Sequence, residues 1–507
     1  MSLQVSNNKR VLTLLAAFLG WLFDGFEMGL FPLVGPPALK DLLHDTAAKD
    51  ATTWFGCIIA VFLVGAASGG VLFGWLGDKI GRVRSMALSI FTYAIFTGLC
   101  GFATEAWHIA VFRFVASLGM GGEWSLGVAL VNEIWPAKSR ALTAGLIGAA
   151  ANVGYLLAAV LSMVLLGFVS TTDHFLLAIG VSEATSRYLT EHSAWRLLMI
   201  SGALPALLNF MILLWVPESE KWKAEKARGH TSHWANVDLV GVLLGSLATL
   251  GIIWAWSPLA AEHHVGPGLA TVITIVGVGV ALLGFLYPVQ RYLARSEAAG
   301  SFTHTHNRGI IKMMLFGSGL ASVALLGTWG STQWAPKWVS DQLVTGQLVQ
   351  NFPHAKEWTL FWLSVGAIVG TMIAALVAGR FGRRKTYALL CLASIGGALL
   401  LYWTNDHYGP YFLFTTFIAG TATASFYGFF PLYLPELFPT AVRATGQGFA
   451  YNFGRIIAAI GGLQVANLMN YFDHSFPKAA TVVSGVYLIG MGLIWLGPET
   501  KDSPLPD

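Results

Sequence analysis

Five ionisable residues lie within long apolar stretches of this 507-residue chain, where a charge is costly: Asp24, Glu27, Arg113, Glu123 and Arg455. An ionisable group at bilayer depth costs about 2.5–3.5 kcal/mol on insertion scales, so it usually faces a cavity and has a function. A carboxyl group beside an arginine can gain and lose a proton. A guanidinium without a carboxylate partner is suited to binding an anion.

Asp24 and Glu27 are three residues apart, so they share one helix face. From the helical rise, Arg113 lies close to the depth of both carboxylates, whereas Glu123 lies deeper. We expect Asp24 to carry a proton beside Arg113, and we assign Glu27, Arg113 and Glu123 to proton coupling with it. The alternatives are a permanent salt bridge between the two helices and direct contact with a substrate.

Arg455 is predicted near mid-membrane, where it would bind an anion through two parallel hydrogen bonds. The alternative is an ion pair with Asp24 or Glu27. Other polar and aromatic residues could supply hydrogen bonds and walls for a binding site: Asn152, Tyr155, Trp329, Gln333, Tyr427 and Asn452.

The elements that position these residues must be membrane helices. Hydrophobic residues make up 55% of the chain and charged residues only 11%, and the mean hydropathy is +0.63. A soluble domain carries about 25% charged residues. Fourteen apolar windows of spanning length lie between residues 11 and 497. The composition predicts an all-α polytopic membrane protein in a lipid bilayer and excludes a soluble enzyme, a nucleic-acid-binding protein and a disulfide scaffold.

Lysine and arginine are distributed unequally between the loops on the two sides. With the N-terminus inside, about three times as many fall in the inner loops, as the positive-inside rule requires. We therefore expect a multi-pass protein of the plasma membrane, or of the inner membrane in a bacterium, with both termini in the cytoplasm.

An internal repeat divides the chain. Three blocks recur in the same order: GWLGDKIGRVR (74–84) as ALVAGRFGRRK (375–385), EIWPAKSRALTAG (133–145) as ELFPTAVRATGQG (436–448), and VPES (216–219) as GPET (497–500). Internal repeats of this kind are typical of secondary transporters. The repeat predicts six-helix halves at 1–216 and 310–507. The linker at 217–309 then holds an inserted two-helix hairpin at 237–288.

Two six-helix repeats with the loop GDKIGRVR after the second helix resemble the major facilitator superfamily. The segment GMGGEW (119–124) and the fourteen-span layout resemble its acid:proton symporter branch, which includes sialate and aromatic-acid symporters. The resemblance implies the major facilitator fold, two six-helix repeats plus a two-helix insertion, and secondary active transport by alternating access. We expect a monomer.

The resemblance also implies a gate at the signature loops. In this family the first loop holds the two halves together, which assigns gating to Asp78, Arg82 and Arg84. Paired charges that would support the same gate are Glu133, Arg140, Glu436 and Arg443. The second loop has Gly379 in place of the aspartate, so a matching contact is not expected there. Ordinary positive-inside residues are the alternative interpretation.

Together these observations predict proton-coupled symport of a small organic anion, a carboxylate. A sugar or organic-cation carrier of the same fold and a non-transporting, receptor-like homologue are the alternatives. The segment LGTWGSTQWAPKW (326–338) lacks the double glutamine of sugar porters, and Arg455 is a base where a cation carrier would need an acid. We expect no enzyme activity, no metal site and no cofactor other than the proton.

Overall fold

The computed structural model describes residues 7–43, 48–167, 169–257, 260, 264–344 and 351–506. These residues are almost entirely helical, and no strand occurs among them. Transmembrane helices satisfy every backbone hydrogen bond within the segment, which is why an apolar chain of this kind folds as helices in a bilayer.

The first half of the chain forms eight helices that make six membrane spans. The sixth span is divided between two helices because Pro205 lies in the 3₁₀ turn Leu204–Leu207. The stretch before that span is largely helical as well. The helices are α1 (Asn7–Leu42), α2 (Ala48–Ile80), α3 (Arg82–Leu99), α4 (Ala106–Ile134), α5 (Arg140–Gly167), α6 (Val169–Ala178), α7 (Glu183–Ser201) and α8 (Leu208–Trp215).

A linker with an inserted hairpin follows. It consists of the short helix α9 (Glu220–Ala227) and two long apolar helices, α10 (Leu239–Ala255) and α11 (Pro267–Ala298). The two long helices pack on each other and on α2, where the hydroxyl groups of Ser246 and Ser68 are 2.7 Å apart. The hairpin also contacts the fifth membrane span of the second half (Arg443–Tyr471), so it lies beside the line where the two halves meet.

The second half repeats the pattern of the first. Its helices are α12 (His304–Trp329), α13 (Ala335–Trp338), α14 (Ala355–Phe381), α15 (Arg383–Trp403), α16 (Pro410–Thr423), α17 (Phe426–Tyr433), α18 (Arg443–Tyr471), α19 (Phe476–Ser484) and α20 (Val486–Leu493). In each half a single glycine, Gly81 or Gly382, separates the second membrane span from the third. Both glycines have a positive φ, +113° and +96°, which other residues rarely adopt.

Thirteen helical segments among the described residues are long and apolar enough to cross a membrane. Helix α18 is not one of them, although it is 29 residues long and packs against α2 and α12. It is less apolar than the others because it carries Arg455 and several amide side chains. With α18 the number of spans is the predicted fourteen.

The halves meet along two equivalent pairs of helices. Helix α2 packs against α18, and its counterpart α14 packs against α5. Each contact joins the second membrane span of one half to the fifth membrane span of the other. Most of the residues predicted to carry function lie on these helices and on α1 and α4. The others lie on α3 and in the second half outside α14 and α18: Arg82, Arg84, Trp329, Gln333, Tyr427 and Glu436.

Candidate functional site

The predicted gating residues gather at one end of the bundle, in a buried cluster of ion pairs that we call the charged end. Arg82 is fully buried there. Its guanidinium donates to Asp78 Oδ1 at 2.6 Å and to Glu133 Oε1 at 3.2 Å. It also donates to the carbonyl of Thr440, at 2.8 Å, in the second half. Arg82 therefore binds both halves at once.

Asp78 caps a helix of the opposite half. Its Oδ2 accepts from the Thr445 N–H at 2.8 Å and from the Thr445 hydroxyl at 2.6 Å, and Oδ1 accepts from the Ala444 N–H at 3.3 Å. These N–H groups belong to the first turn of α18, where unsatisfied donors and the helix dipole favour a negative charge. Beside them Arg443 of α18 binds Glu133 across the halves at 2.8 Å.

The second copy of the loop repeats the ion pairs without the aspartate. Arg383 binds Glu436 through two hydrogen bonds, of 2.9 and 2.7 Å. Arg140 of the first half lies 3.6 Å from the same carboxylate. Gly379 stands in place of the aspartate, and a Cβ there would be 2.9 Å from the Cβ of Ala141. A carboxylate at this position would require α5 to shift.

Arg84 does not join the charged cluster, contrary to the assignment made from sequence. Its side chain is exposed, and no ion pair involves it within the described part of the chain. It lies two residues after Arg82 on α3, and helix residues two apart do not face each other.

Two glutamates that sequence reasoning left unassigned cap the helices after the signature loops. Glu218 accepts from the first two N–H groups of α3, at 3.0 and 3.1 Å. Glu499 accepts from the first two N–H groups of α15, at 2.9 and 3.1 Å. Both glutamates belong to the repeated VPES and GPET blocks, so the repeat itself was the signal that could have identified them.

The two caps differ in their electrostatics. Burial raises the pKa of Glu218 above its usual value, against the opposing effect of its backbone donors. Burial also acts to raise the pKa of Glu499, but the backbone hydrogen bonds outweigh it, so this pKa lies below its usual value. The first cap is half-buried and the second is exposed.

Inside the bundle, Arg113 pairs with Glu27 rather than with Asp24. Its Nη1 is 2.6 Å from Glu27 Oε1, and both side chains are almost fully buried. The guanidinium also lies 4.2 Å from the ring of Phe31 and 4.7 Å from that of Phe62. This corrects the expectation that Arg113 accompanies Asp24: its guanidinium binds the carboxylate that lies about one helical turn further along α1.

Asp24 instead lies beside Glu123, and their carboxyl groups face each other within hydrogen-bonding range. Glu123 packs directly on α1, so close that a Cβ on Gly20 would be 2.0 Å from its Oε1. Neither oxygen of Asp24 accepts a hydrogen bond from any N–H or O–H of the described residues, and the same holds for Glu123 Oε2. Helical rise alone separates these residues in depth, whereas the packing of α4 on α1 brings them together.

Arg455 is buried on α18 and forms no ion pair with any residue that the structure describes. Its guanidinium lies 5.6 Å from the ring of Tyr451, which stacks on Trp124 of the first half at 3.9 Å. Nη1 has no hydrogen-bond partner among the described residues. The structure shows no ion pair from Arg455 to Asp24 or Glu27 over the same residues, although Asp24 is close enough to interact electrostatically.

A small cavity lies between the halves. It is lined by Asn152 and Tyr155 of α5 and by Thr328, Thr332 and Gln333 of the second half. The volume open to the centre of a water molecule is about 10 Å³, which is room for about one water. Three predicted binding residues therefore share one cavity, which is too small in this conformation for an organic substrate.

The other predicted binding residues lie in two different places. Tyr427 lies near Arg455 and Tyr155, and Trp329 contacts Tyr427. Asn452 does not face the cavity: its Nδ2 donates to the Gly121 carbonyl at 3.0 Å and to the Gly448 carbonyl at 2.9 Å. Asn452 therefore joins α18 to α4, a packing contact that its sequence position did not indicate.

The end of the bundle opposite the charged end is also closed. Lys356 Nζ donates to the carbonyl of Pro32 at 3.0 Å, which connects α14 to α1. Below this contact Tyr155, Ala159 and Leu360 form a small apolar cluster between the halves. The cavity is thus enclosed at both ends.

Comparison with known families decides the classification. A sequence model of the Major Facilitator Superfamily matches residues 14–340, which is more than half of the chain. The chain belongs to the major facilitator superfamily. A second model, described as sugar (and other) transporter, matches residues 325–502. The protein is therefore a multi-pass membrane transporter and not an enzyme.

Relatives of this transporter span nearly its whole length. The cis,cis-muconate transport protein of Acinetobacter baylyi is 26% identical over 497 residues, covering 96% of this chain and 95% of the relative. The niacin transporter NiaP of the same organism is 25% identical over 492 residues, covering 96% and 93%. The solved structure of the proton:xylose symporter XylE superimposes with a TM-score of 0.67 at 18% identity, covering 99% and 98%. At that identity the structure supports the fold alone.

Proposed function

We propose that this transporter carries a small organic anion, a carboxylate, together with a proton by alternating access. The observation that carries the proposal is Arg455, a buried guanidinium whose Nη1 has no hydrogen-bond partner among the described residues. It lies near Tyr155, one of the residues that line the cavity between the halves. A carboxylate offers two oxygens that match the guanidinium fork, and it would offset the charge that burial makes costly. Tyr427 and Tyr155 lie close enough to line the same site.

The proton would be carried by Asp24. Its carboxyl group is fully buried in the first half, opposite Arg455, and lacks hydrogen-bond donors in the described part of the chain. One carboxylate and one proton move together without net charge. Uptake should then follow the pH gradient and respond little to membrane potential. Glu27 of α1 and Arg113 of α4 would serve as a second, paired group close to Asp24.

Alternating access would work through the closures at the two ends. We place the charged end and both termini at the cytoplasmic side. Opening there would break the contacts of Asp78 with α18 and the ion pairs Glu133–Arg443 and Arg140–Glu436. Opening at the other side would break the hydrogen bond from Lys356 to the Pro32 carbonyl.

Sugar transport is the second candidate, because a sugar-transporter model matches the second half and XylE shares the fold. A sugar would leave the charge of Arg455 without a partner, however, and the names of the two relatives describe transporters of carboxylic acids. These observations favour the anion.

The test uses purified protein in liposomes with an alkaline interior and labelled nicotinate outside. We expect accumulation that collapses when the pH gradient is removed and changes little when the membrane potential is clamped at different values. Unlabelled cis,cis-muconate should compete, whereas xylose and tetraethylammonium should not. Competition by xylose or tetraethylammonium alone, without any effect of carboxylates, would overturn the proposal.

A further inference from the structure

Asp24 and Glu123 form a buried pair of carboxyl groups that contacts no hydrogen-bond donor of the described residues. Asp24 is 0% exposed and Glu123 is 1% exposed. Their carboxyl groups face each other within hydrogen-bonding range, and both oxygens of Asp24 and one of Glu123 are otherwise unpartnered. Buried polar groups are nearly always hydrogen-bonded, so this arrangement requires an explanation.

A proton shared between the two carboxyl groups would explain this arrangement. Two ionised carboxylates in contact inside an apolar bundle repel each other, whereas one proton between them forms a short, charge-assisted O–H···O⁻ bond. We propose that Asp24 and Glu123 hold one proton between them and together form the proton site of the transporter. This inference rests on the proposed proton-coupled function and adds Glu123 as an equal partner in it.

The position of Glu123 depends on Gly20. The Glu123 Oε1 lies where a Cβ on residue 20 would stand, one helical turn before Asp24. Any other residue at position 20 would push this carboxyl group away from α1. The contact between the two carboxyl groups therefore follows from close packing of α4 on α1.

The surroundings of the pair contain one cation. The titratable groups that act on Asp24 from its own helix and from the helices packed against it are Glu27 of α1, Tyr93 of α3, Glu123 of α4, and Tyr451 and Arg455 of α18. Of these only Arg455 carries a positive charge. Because an anion bound to Arg455 would offset that charge, its binding would strengthen proton binding at the pair.

This arrangement couples the two ligands. If the anion increases proton affinity, the proton must increase anion affinity by the same factor, because coupling of binding free energies is reciprocal. When the site opens to water and the anion leaves, Arg455 again favours the ionised pair. The proton then passes from a carboxyl oxygen to water, and the pair is left with one additional negative charge.

The proton can be observed without a substrate. Infrared spectra of the full-length protein, recorded between acidic and alkaline pH, should show the C=O band of a protonated carboxyl group disappearing as the shared proton leaves. In Glu123→Gln and in Asp24→Asn the new amide donates a hydrogen bond to the remaining carboxylate and stabilises its ionised form. We expect each substitution to weaken proton binding at least about tenfold, a shift of about one pH unit or more in the midpoint.

Two further variants control the experiment. Glu123→Asp keeps a carboxyl group but withdraws it by one methylene, so the midpoint should move in the same direction by less; this variant also decides the matter if an amide variant does not fold. Glu105→Gln alters an exposed carboxylate just before α4 and should leave the band unchanged. A midpoint that Glu123→Gln leaves at its wild-type value would overturn the shared site and leave Asp24 alone.

A second arm separates this inference from the proposed function. Nicotinate added to the wild-type protein should strengthen proton binding at the pair. If nicotinate has no effect while the amide variants still shift the band, the shared proton stands and the anion proposal fails. If nicotinate is transported while the amide variants leave the band unchanged, the shared proton fails and the anion proposal stands.

Discussion

The charged end and the centre of the bundle both contain buried charges, but the two regions differ in whether these charges have partners. At the charged end every buried arginine has a carboxylate partner, as in Arg82–Asp78, Arg443–Glu133 and Arg383–Glu436. At the centre Arg455 has no ion-pair partner among the described residues, and the Asp24 carboxyl group accepts no hydrogen bond from them. Within the described ranges, Glu27 and Arg113 form the only ion pair at the centre.

This difference indicates what each region does. A network in which charges already satisfy one another is stable until the halves separate, so it acts as a closure. Charges without partners are costly in the resting protein and gain most when a ligand or a proton arrives. We therefore propose that the same residue types form a gate in one region and a binding site in the other.

The largest effect is expected from removing the proton carrier. Asp24→Asn should abolish uptake of nicotinate against its gradient while leaving exchange across the membrane measurable, because the anion site at Arg455 remains. The measurement is paired uptake and counterflow in liposomes. Continued accumulation by the Asn variant would transfer the proton to Glu27 or to Glu123 alone and would remove the contrast drawn here between paired and unpaired carboxylates.

A smaller effect is expected at the charged end. Asp78→Asn removes the charge that Arg82 and the first turn of α18 share, which should weaken the closure by about 1.5–3 kcal/mol. A cysteine in place of Ala441, in a chain without Cys57, Cys100 and Cys391, should then react with a maleimide roughly 10- to 150-fold faster.

The matched control is Arg84→Gln, which alters an exposed arginine of the same loop outside the ion-pair cluster. It should leave the labelling rate unchanged. Equal rates in wild-type protein and Asp78→Asn would mean that the cross-half contact of Asp78 does not hold the charged end closed.

The smallest effect is expected on protein stability, from substitutions of the two glutamates that cap helices. At neutral pH Glu499→Gln should lower the free energy of unfolding by about 1 kcal/mol, the usual contribution of a helix cap. Glu218→Gln should lower it by less. The pKa of Glu499 is lowered in the folded protein, so its stabilisation is present at neutral pH and is lost as the pH falls through that lowered value.

The pH dependence of stability expected from Glu218 has the opposite sign. Because its folded pKa is raised, its favourable contribution is lost as the pH rises through that value, and a neutral glutamine suits neutral pH. Thermal unfolding at neutral and acidic pH should therefore show a penalty for Glu499→Gln that shrinks in acid. A constant penalty, or a larger one for Glu218→Gln, would contradict the assignment of the caps.

The sequence predicted the fold well because two independent patterns agree. Apolar windows gave the spans, and the repeated blocks gave the symmetry, so α18 was included although it is less apolar than the other spans. The functional side chains were harder to place. Helical rise gives depth along one helix but not rotation or tilt, and for this reason Arg113 was assigned to Asp24 when it binds Glu27.

The remaining differences also come from packing between helices. Asn452 was read as a cavity residue, but the close approach of α18 to α4 uses its amide on two carbonyl groups. The Asp24–Glu123 contact depends on the absence of a side chain at Gly20, 103 positions before Glu123 in the chain. Contacts of this kind arise from three-dimensional packing that a single sequence does not encode in any local pattern.

The central claim is that Arg455 binds the transported anion, and calorimetric binding of nicotinate to purified variants tests it most directly. Arg455→Lys should bind more weakly than wild type, because the charge remains but the two-pronged geometry is lost. Arg455→Ala should lose about 2–3 kcal/mol, roughly 30- to 150-fold in affinity, while remaining folded. Wild-type affinity in a well-folded Arg455→Ala protein would contradict the account and leave Arg455 with a purely structural role.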